Sequence, residues 1–201
     1  MIKEFFDMPR MEKFVGKSFS FLSPNTWTTI SLLIAVVAFI AVVCGQTTIG
    51  AILFIISTLC DLVDGKVARF TNTSSKLGAF WDGTVDRFVD GLLILCFFFL
   101  DFPVPERQMA LILFALLFTT LLPPFIVAYA NHRGAVPDPT EKVIWRFAFR
   151  IEYIVFYIAA IALHPMNPMI SYYLIWAGLV LMSATVVQSI VLVFIKSKLY
   201  T

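Results

Sequence analysis

Five aspartates stand in two apolar stretches of this 201-residue chain, where an ionised side chain needs a specific partner. They are Asp61, Asp64, Asp82, Asp86 and Asp90. A carboxylate inside a membrane span costs several kcal/mol unless it is paired, hydrated or bound to a metal ion. The type and position of these residues therefore indicate a functional site.

The spacing of the first four aspartates predicts one shared cavity. Asp61 and Asp64 are an i, i+3 pair, and Asp82 and Asp86 are an i, i+4 pair, so each pair lies on one face of its helix. A short polar turn joins the two stretches and predicts antiparallel neighbouring helices, with both pairs at the same end. Four carboxylates without a nearby His or Cys suit a hard divalent cation such as Mg²⁺, Mn²⁺ or Ca²⁺. Two cations, or one cation and a free general base, are both open.

Small residues accompany the aspartates. Gly65, Ala68 and Gly78 lie on or near the same helix faces, and their missing side chains leave room for a flat group against the backbone. Arg69 stands at the end of its helix, where it can meet a phosphate. The pattern predicts a site for a phosphate-bearing ligand beside the metal.

The composition places this site in a membrane protein. The chain is 60% hydrophobic and 14% charged, with a mean hydropathy of +0.89, whereas a soluble domain carries about 25% charged residues. An ordinary soluble globule and a disordered chain are both excluded. The net charge of +2 leaves no basic excess for nucleic acid.

The hydrophobic pattern predicts an all-α integral membrane fold. A span needs about 20 mostly apolar residues, and six stretches qualify: 27–44, 49–69, 79–100, 108–130, 147–164 and 170–195. We expect a six-transmembrane-helix bundle that forms one catalytic domain over residues 21–201. Residues 1–20 place aromatic side chains among charges and predict an amphipathic juxtamembrane helix on the membrane surface.

Basic residues are distributed unevenly between the predicted loops. Thirteen of the fifteen Lys and Arg residues fall in the segments before span 1, between spans 2 and 3, between spans 4 and 5 and after span 6, or in the turn of a span that adjoins one of these segments. By the positive-inside rule, these segments are cytoplasmic. We therefore expect both termini and the aspartate site on the cytoplasmic side of the cell membrane.

Eight of these positions form one motif with fixed spacing. It reads Asp61-x2-Asp64-Gly65-x2-Ala68-Arg69-x8-Gly78-x3-Asp82-x3-Asp86. This motif resembles the signature of the CDP-alcohol phosphotransferases at every position and every spacing. The resemblance extends more weakly to Ser23-Pro24-Asn25 before span 1 and to the number of spans.

The resemblance implies a reaction and a set of roles. Members transfer a phosphate-linked alcohol from a CDP-alcohol to the hydroxyl of a second alcohol and release CMP, and those of known structure are homodimers. Asp61, Asp64 and Asp82 are implied as the main ligands of Mg²⁺ or Mn²⁺, with two cations expected. Asp86 is implied as a partial ligand and as the catalytic base that takes the acceptor's proton. The implied CDP-binding residues are Asn25, Asp61, Asp64, Gly65, Ala68, Arg69, Gly78 and Asp82.

The resemblance is less specific about the acceptor. The run from Gly78 to Arg87 is most similar to the branch that uses inositol or inositol phosphate, in which an Arg follows the last Asp. We expect acceptor binding by Arg133, Arg146, Arg150 and Asp90. That branch also has an Arg near Asn131 and one at Tyr153, which this sequence lacks. Glycerol 3-phosphate and serine stay open as acceptors, as do CDP-diacylglycerol and CDP-archaeol as the lipid donor.

Two roles outside catalysis would also place aspartates in membrane spans. In the first, they form salt bridges to Lys66, Arg69 and Arg87 that hold the bundle together, but five acids would then face three bases. In the second, they line the pathway of a divalent-cation transporter, because acidic residues in spans also line ion pathways. A transporter, however, has no evident need for a phosphate-facing Arg69 or for two close-approach glycines.

Overall fold

The computed structural model describes residues 9–136, 148 and 150–198, with side chains from residue 13 onward. This part of the chain is helical and contains no strand. Its seven α-helices are α1 (Pro9–Phe19), α2 (Pro24–Val43), α3 (Thr47–Phe70), α4 (Lys76–Cys96), α5 (Glu106–His132), α6 (Arg150–Leu163) and α7 (Pro168–Ser197), with a 3₁₀ turn at Phe97–Phe99.

Polar caps fix where several of these helices begin. The Ser23 side chain accepts a hydrogen bond from the Thr26 backbone N–H at 3.3 Å, and Pro24 occupies the first turn of α2. Ser75 accepts from the Gly78 N–H at 3.0 Å at the start of α4. Each cap satisfies a backbone donor that the first helical turn leaves unpaired. The chain reverses between α2 and α3 at Gly45, whose φ of +79° is a conformation that glycine adopts without strain.

Four of the described helices are long and apolar enough to cross a membrane: α2, α3, α5 and α7. Helix α4 has the length, but Asp82, Asp86, Arg87 and Asp90 make it too polar to qualify by composition. Helix α6 is described over 14 residues, about 21 Å at 1.5 Å per residue, which is shorter than a hydrocarbon core of about 30 Å.

Helix α2 lies at the centre of the half of the bundle that carries the aspartates. It packs closely on both α3 and α4. Its inward face is built from small residues, of which Ser31, Ala35 and Ala38 are fully buried. On α3, Gly50 faces Ala38 and Val42 so closely that a Cβ there would overlap the Val42 side chain. Small residues of this kind allow two membrane helices to approach closely.

The predicted direct pairing of the two aspartate helices needs a correction. In the described part of the chain, the backbones of α3 and α4 come close to each other at few positions, because each of these helices packs on α2 instead. Helix α6 contacts α3 and, less extensively, α4. The two aspartate-bearing helices therefore face a cleft between them rather than a packed seam, and this cleft is where the site lies.

The region predicted as a juxtamembrane helix contains α1. This helix packs against α3, where a Cβ on Gly16 would overlap the Phe70 side chain. The Trp27 indole of α2 donates a hydrogen bond to the Phe19 carbonyl at 3.0 Å, and its ring lies edge-on to Phe19 and Phe21. These contacts join α1 to the ends of the two helices that border the cleft. Residues 1–8 of the predicted segment lie outside the described residues.

Candidate active site

The aspartates converge at one end of the bundle. Asp61 and Asp64 lie near the carboxyl end of α3, and Asp82 lies in the second turn of α4. One carboxylate oxygen from each of these three residues lies within 4.8 Å of the other two. The i, i+3 spacing on α3 and the short turn to α4 thus bring together three of the four carboxylates that were predicted to converge, while the fourth, Asp86, contacts Arg150.

Asp64 is held in place from α2. The Thr28 hydroxyl makes a short hydrogen bond to Asp64 Oδ2 and also lies 3.2 Å from the Pro24 carbonyl. Both Thr28 and Asp64 are buried. On the next position of α2, Thr29 Oγ1 accepts a hydrogen bond from the Trp81 indole of α4 at 3.2 Å. Adjacent threonines of α2 therefore fix one side chain on each wall of the cleft.

The other aspartates gather around Arg150, the first residue of α6. Its Nη1 atom lies 2.7 Å from Asp61 Oδ2 and 2.5 Å from Asp86 Oδ1, and its Nε atom lies 2.9 Å from Asp90 Oδ1. Asp90 is almost fully buried and accepts a second hydrogen bond, at 2.8 Å, from the Tyr153 hydroxyl. Arg87 approaches Asp86 at 3.3 Å and Asp90 at 3.8 Å. One arginine thus links the aspartates of α3 and α4 to α6.

The donor set fits a hard divalent cation. The three converging groups are all carboxylates, which are the ligands that Mg²⁺ and Mn²⁺ prefer. Asp61 Oδ1 is buried and has no hydrogen-bond partner in the described structure. A buried anionic oxygen without a partner is costly, and a metal ion held by Asp61, Asp64 and Asp82 would satisfy it.

A cavity of about 170 Å³ opens beside Asp64 and Asp82. It lies between the first turns of α2 and α4 and the last turns of α3, so two helix N-termini border it. Helix N-termini favour anions because their backbone N–H groups are unpaired and the helix dipole is positive there. The lining residues are Pro24, Asn25, Thr28, Asp64, Gly65, Ala68, Arg69, Thr73, Ser74, Ser75, Gly78, Ala79 and Asp82.

Gly78 lines this cavity, and its lack of a side chain leaves the space open. A Cβ at this position would lie 3.1 Å from Ser75 Oγ and 3.2 Å from Asn25 Oδ1, closer than side chains normally pack. Farther along the same helix, a Cβ on Gly83 would meet nothing within 4 Å. Of these two glycines of α4, the one that belongs to the sequence motif is therefore the one with little room for a side chain.

The sequence of this chain matches one known protein family. The profile of the CDP-alcohol phosphatidyltransferase family matches residues 21–190. The chain belongs to this family. Membership places the chain among phosphatidyltransferases, which argues against the transporter alternative.

Several relatives of this phosphatidyltransferase have names that specify a substrate. An archaetidylinositol phosphate synthase of Aeropyrum pernix is 41% identical over 78 residues, 36% of this chain and 40% of that protein. One of Pyrococcus horikoshii is 28% identical over 122 residues, 60% of each chain. A bifunctional IPC transferase and DIPP synthase of Thermococcus kodakarensis is 31% identical over 85 residues, 41% of this chain and 19% of that protein. The matched segments span from about a fifth to three fifths of these relatives.

Solved structures show the same fold. The phosphatidylinositol phosphate synthase of Mycobacterium tuberculosis with CDP-DAG bound superimposes with a TM-score of 0.76 at 22% identity, covering 92% of this chain and 94% of that one. The same enzyme in complex with manganese and citrate also gives a TM-score of 0.76, at 21% identity over 91% and 88% of the two chains.

The predicted site residues of this phosphatidyltransferase divide into two groups. Every residue predicted to bind CDP lines the cavity except Asp61, which lies beside it in the aspartate cluster. The residues predicted to bind the acceptor are scattered. Arg150 and Asp90 contact each other inside the cluster, Arg133 stacks on the Tyr129 ring 5.1 Å from its centre, and Arg146 lies outside the described residues.

Two contributors to the site and one ion pair were not predicted from the sequence. Thr28 and Tyr153 bind the aspartates directly, and Asp61 forms an ion pair with Arg150. A polar residue on the inward face of an apolar span was a usable signal for Thr28. No sequence signal assigned Arg150 to Asp61, because the two positions are 89 residues apart.

Proposed function

We propose that this protein transfers the phosphate-linked lipid group of a CDP-linked lipid to a hydroxyl of a small polar alcohol and releases CMP. Membership of the family gives the reaction class. The observation that carries the proposal is the aspartate triad of Asp61, Asp64 and Asp82 beside a cavity that two helix N-termini border. Such a site joins metal ligands to an anion-binding pocket, and a pyrophosphate donor requires both.

The cavity fits the CDP end of the donor. Arg69 and the N-terminal turns of α2 and α4 supply positive potential for the two phosphates. Gly65, Ala68 and Gly78 leave the backbone accessible to the nucleotide. The lipid part would then extend into the bilayer that surrounds the bundle. The side chains of α2, α3 and α5 that the fold leaves outside are large and apolar, as a lipid-facing surface requires.

The cofactor is a divalent cation, Mg²⁺ or Mn²⁺. Asp61, Asp64 and Asp82 would hold it, and we propose that Asp86 contributes to a second cation. A bound cation neutralises phosphate charge and stabilises the leaving oxygen of CMP. Thr28 serves this function indirectly, since its hydroxyl fixes the orientation of the Asp64 carboxylate.

We propose that Asp86 is the catalytic base. Its carboxylate takes the proton of the acceptor hydroxyl, the acceptor oxygen forms a bond to the lipid-linked phosphorus, and the bond from that phosphorus to the CMP oxygen breaks. Asp86 lies at the boundary between the triad and Arg150, and its side chain is 18% exposed. Part of this side chain is therefore open to an acceptor.

The best-supported acceptor is inositol phosphate or inositol. The support comes from the motif that ends in Asp86-Arg87 and from the relatives named archaetidylinositol phosphate synthase. Arg133, Arg146, Arg150 and Asp90 remain the predicted acceptor residues. Arginine side chains bind phosphate through paired N–H groups, so this set favours a phosphorylated acceptor. Glycerol 3-phosphate and serine are the alternatives within the same chemistry.

We propose that the membrane arrangement follows the sequence prediction. Helices α4 and α6 complete six spans around the four that length and composition identify. The positive-inside distribution supports a cytoplasmic position for both termini and the site, and α1 would lie along the membrane surface against the end of α3. A homodimer remains a prediction, which light scattering of the detergent-solubilised protein tests.

Release of CMP tests the proposed function. Purified protein would receive CDP-diacylglycerol or CDP-archaeol, Mg²⁺ or Mn²⁺, and in turn inositol phosphate, inositol, glycerol 3-phosphate or serine. We expect metal-dependent release that is largest with inositol phosphate or inositol and absent in Asp86→Asn. Release with only glycerol 3-phosphate or only serine would replace the acceptor. No release with any pair of substrates would overturn the proposed function.

A further inference from the structure

Arg150 occupies an unusual place for a residue predicted to bind an acceptor. Its guanidinium is surrounded by carboxylates from two other helices, Asp61 on α3 and Asp86 and Asp90 on α4. Asp61 belongs to the triad that can hold a metal ion, and Asp86 is the fourth acid of the motif. In this structure the guanidinium of Arg150 supplies the positive charge between these two carboxylates.

The contacts of Arg150 with carboxylates fall into two sets, and its Nη2 atom also lies 3.5 Å from the Asp86 carbonyl oxygen. Its Nη1 atom bridges Asp61 and Asp86, at 2.7 and 2.5 Å. Its Nε atom contacts Asp90 at 2.9 Å, and Asp90 is 1% exposed and held by the Tyr153 hydroxyl. In the contact with Asp90, the carboxylate is held by both Arg150 and Tyr153. In the contacts with Asp61 and Asp86, each carboxylate is also proposed to bind a metal ion or the acceptor. Nη1 can therefore leave Asp61 and Asp86 while Nε stays on Asp90.

We propose that Arg150 is a positioning residue that occupies the place of the second divalent cation between Asp61 and Asp86. This inference rests on the proposed function. A first cation enters among Asp61, Asp64 and Asp82. A second cation enters only when Nη1 withdraws, because two positive charges at one pair of carboxylates repel each other. An anionic group that binds the freed guanidinium, such as a phosphate on the acceptor, therefore promotes binding of the second cation.

Acceptor and metal binding are then coupled through one side chain. Linkage requires the effect to be mutual, so that the second cation also strengthens binding of the anion. The enzyme would complete its metal site only when an acceptor is present. Such an order would protect the CDP-lipid from attack by water while the acceptor site is empty.

Titration of metal-free protein with Mn²⁺, followed by electron paramagnetic resonance, tests this inference without substrate or turnover. We expect the wild-type protein to bind one Mn²⁺ tightly and a second weakly. Arg150→Gln should tighten the second site by about tenfold or more, as expected when a unit charge a few ångströms away is removed. The matched control is Arg107→Gln, which removes the same charge from an exposed position at the start of α5 and should leave both affinities unchanged.

Inorganic phosphate provides a second readout. We expect it to tighten the second Mn²⁺ site of the wild-type protein and to have no such effect in Arg150→Gln. If Arg150→Gln does not fold, Arg150→Lys replaces it, since lysine lacks the two separate nitrogens with which Arg150 contacts the Asp61–Asp86 pair and Asp90. The second site should then tighten to an intermediate degree.

The outcomes separate this inference from the proposed function. Two equally tight sites in the wild-type protein, or a second affinity that Arg150→Gln leaves unchanged or weakens, would overturn the role of Arg150 even when CMP is released normally. A wild-type protein that binds no Mn²⁺ and releases no CMP would instead overturn the proposed function itself.

Discussion

The two sides of the aspartate cluster are organised differently. On the nucleotide side, the cavity lies between the start of α2, the end of α3 and the start of α4, and its small residues leave space open. On the acceptor side, the charged groups satisfy one another, with Arg150 bound to Asp61, Asp86 and Asp90. Under the proposed function, the first side is preformed for the nucleotide, whereas the second must exchange internal ion pairs for contacts with an acceptor. This difference predicts that substitutions on the two sides affect different kinetic constants.

The largest expected effect is at the boundary between the two sides. Asp86→Asn keeps the size of the side chain but cannot accept the acceptor's proton, so we expect kcat to fall by about 10²- to 10⁴-fold, the usual contribution of a general base. Binding of the CDP-lipid should be largely preserved, and equilibrium binding of a labelled CDP-lipid measures this separately. Retained turnover would show that another group is the base.

A smaller effect is expected from filling the nucleotide cavity. Gly78→Ala places a methyl group against Ser75 and Asn25, and we expect KM for the CDP-lipid to rise by about tenfold, equivalent to about 1.4 kcal/mol. KM for the acceptor should not change. Gly83→Ala is the matched control, because its methyl group meets open space on the same helix. Equal effects of the two substitutions would contradict the assignment of the cavity to the nucleotide.

The hydrogen bond from Thr28 of α2 to Asp64 should strengthen the binding of both the metal ion and the nucleotide. Thr28→Val removes the hydroxyl that binds Asp64 and keeps the shape of the side chain. Hydrogen bonds to charged groups contribute about 1.5–3 kcal/mol, so we expect the metal concentration for half-maximal activity to rise by roughly tenfold or more. Thr84→Val removes an exposed hydroxyl that binds only the Phe80 carbonyl of its own helix, and it serves as the control. A normal metal requirement in Thr28→Val would show that Asp64 is positioned without α2.

The smallest effect is expected farthest from the cluster, on the acceptor side. Arg133 is exposed and donates hydrogen bonds to the Tyr129 hydroxyl at 3.0 and 2.8 Å. If it contacts the acceptor from this position, Arg133→Gln should raise KM for the acceptor by about three- to tenfold, the range of an exposed charged contact. KM for the CDP-lipid should stay constant. Steady-state kinetics with each substrate varied in turn distinguishes the two, and an unchanged acceptor KM would remove Arg133 from the acceptor site.

The same comparison explains what could be predicted from the sequence. The part of the nucleotide side that α3 and α4 supply depends on local geometry, since the spacing of Asp61 and Asp64 on one helix and the turn before Gly78 bring these residues together. The part that α2 supplies does not. The ends of α2, α3, α5 and α7 also lie within a few residues of the predicted spans. Local periodicity was sufficient for these features.

The acceptor side depends on contacts between distant parts of the chain. Nothing local to Arg150 indicates that it bridges α3 and α4, because a guanidinium at a helix end can equally bind lipid headgroups or a free acceptor. The packing of α2 between α3 and α4 was also missed, since a short turn between two helices suggests direct contact. Both features follow from tertiary packing, in which the small residues of α2 draw its neighbours inward.

The central claim is that the aspartate triad holds the cation that binds the CDP-lipid. Its most direct test is the affinity of Asp61→Asn for Mn²⁺ and for CDP-lipid, measured with the wild-type protein in parallel. Loss of even an indirect partner of a metal ligand weakens metal binding by about 10- to 100-fold. For this direct ligand we therefore expect a loss of Mn²⁺ affinity of about a hundredfold or more, with a parallel loss of CDP-lipid affinity. Unchanged affinity for both would contradict the account.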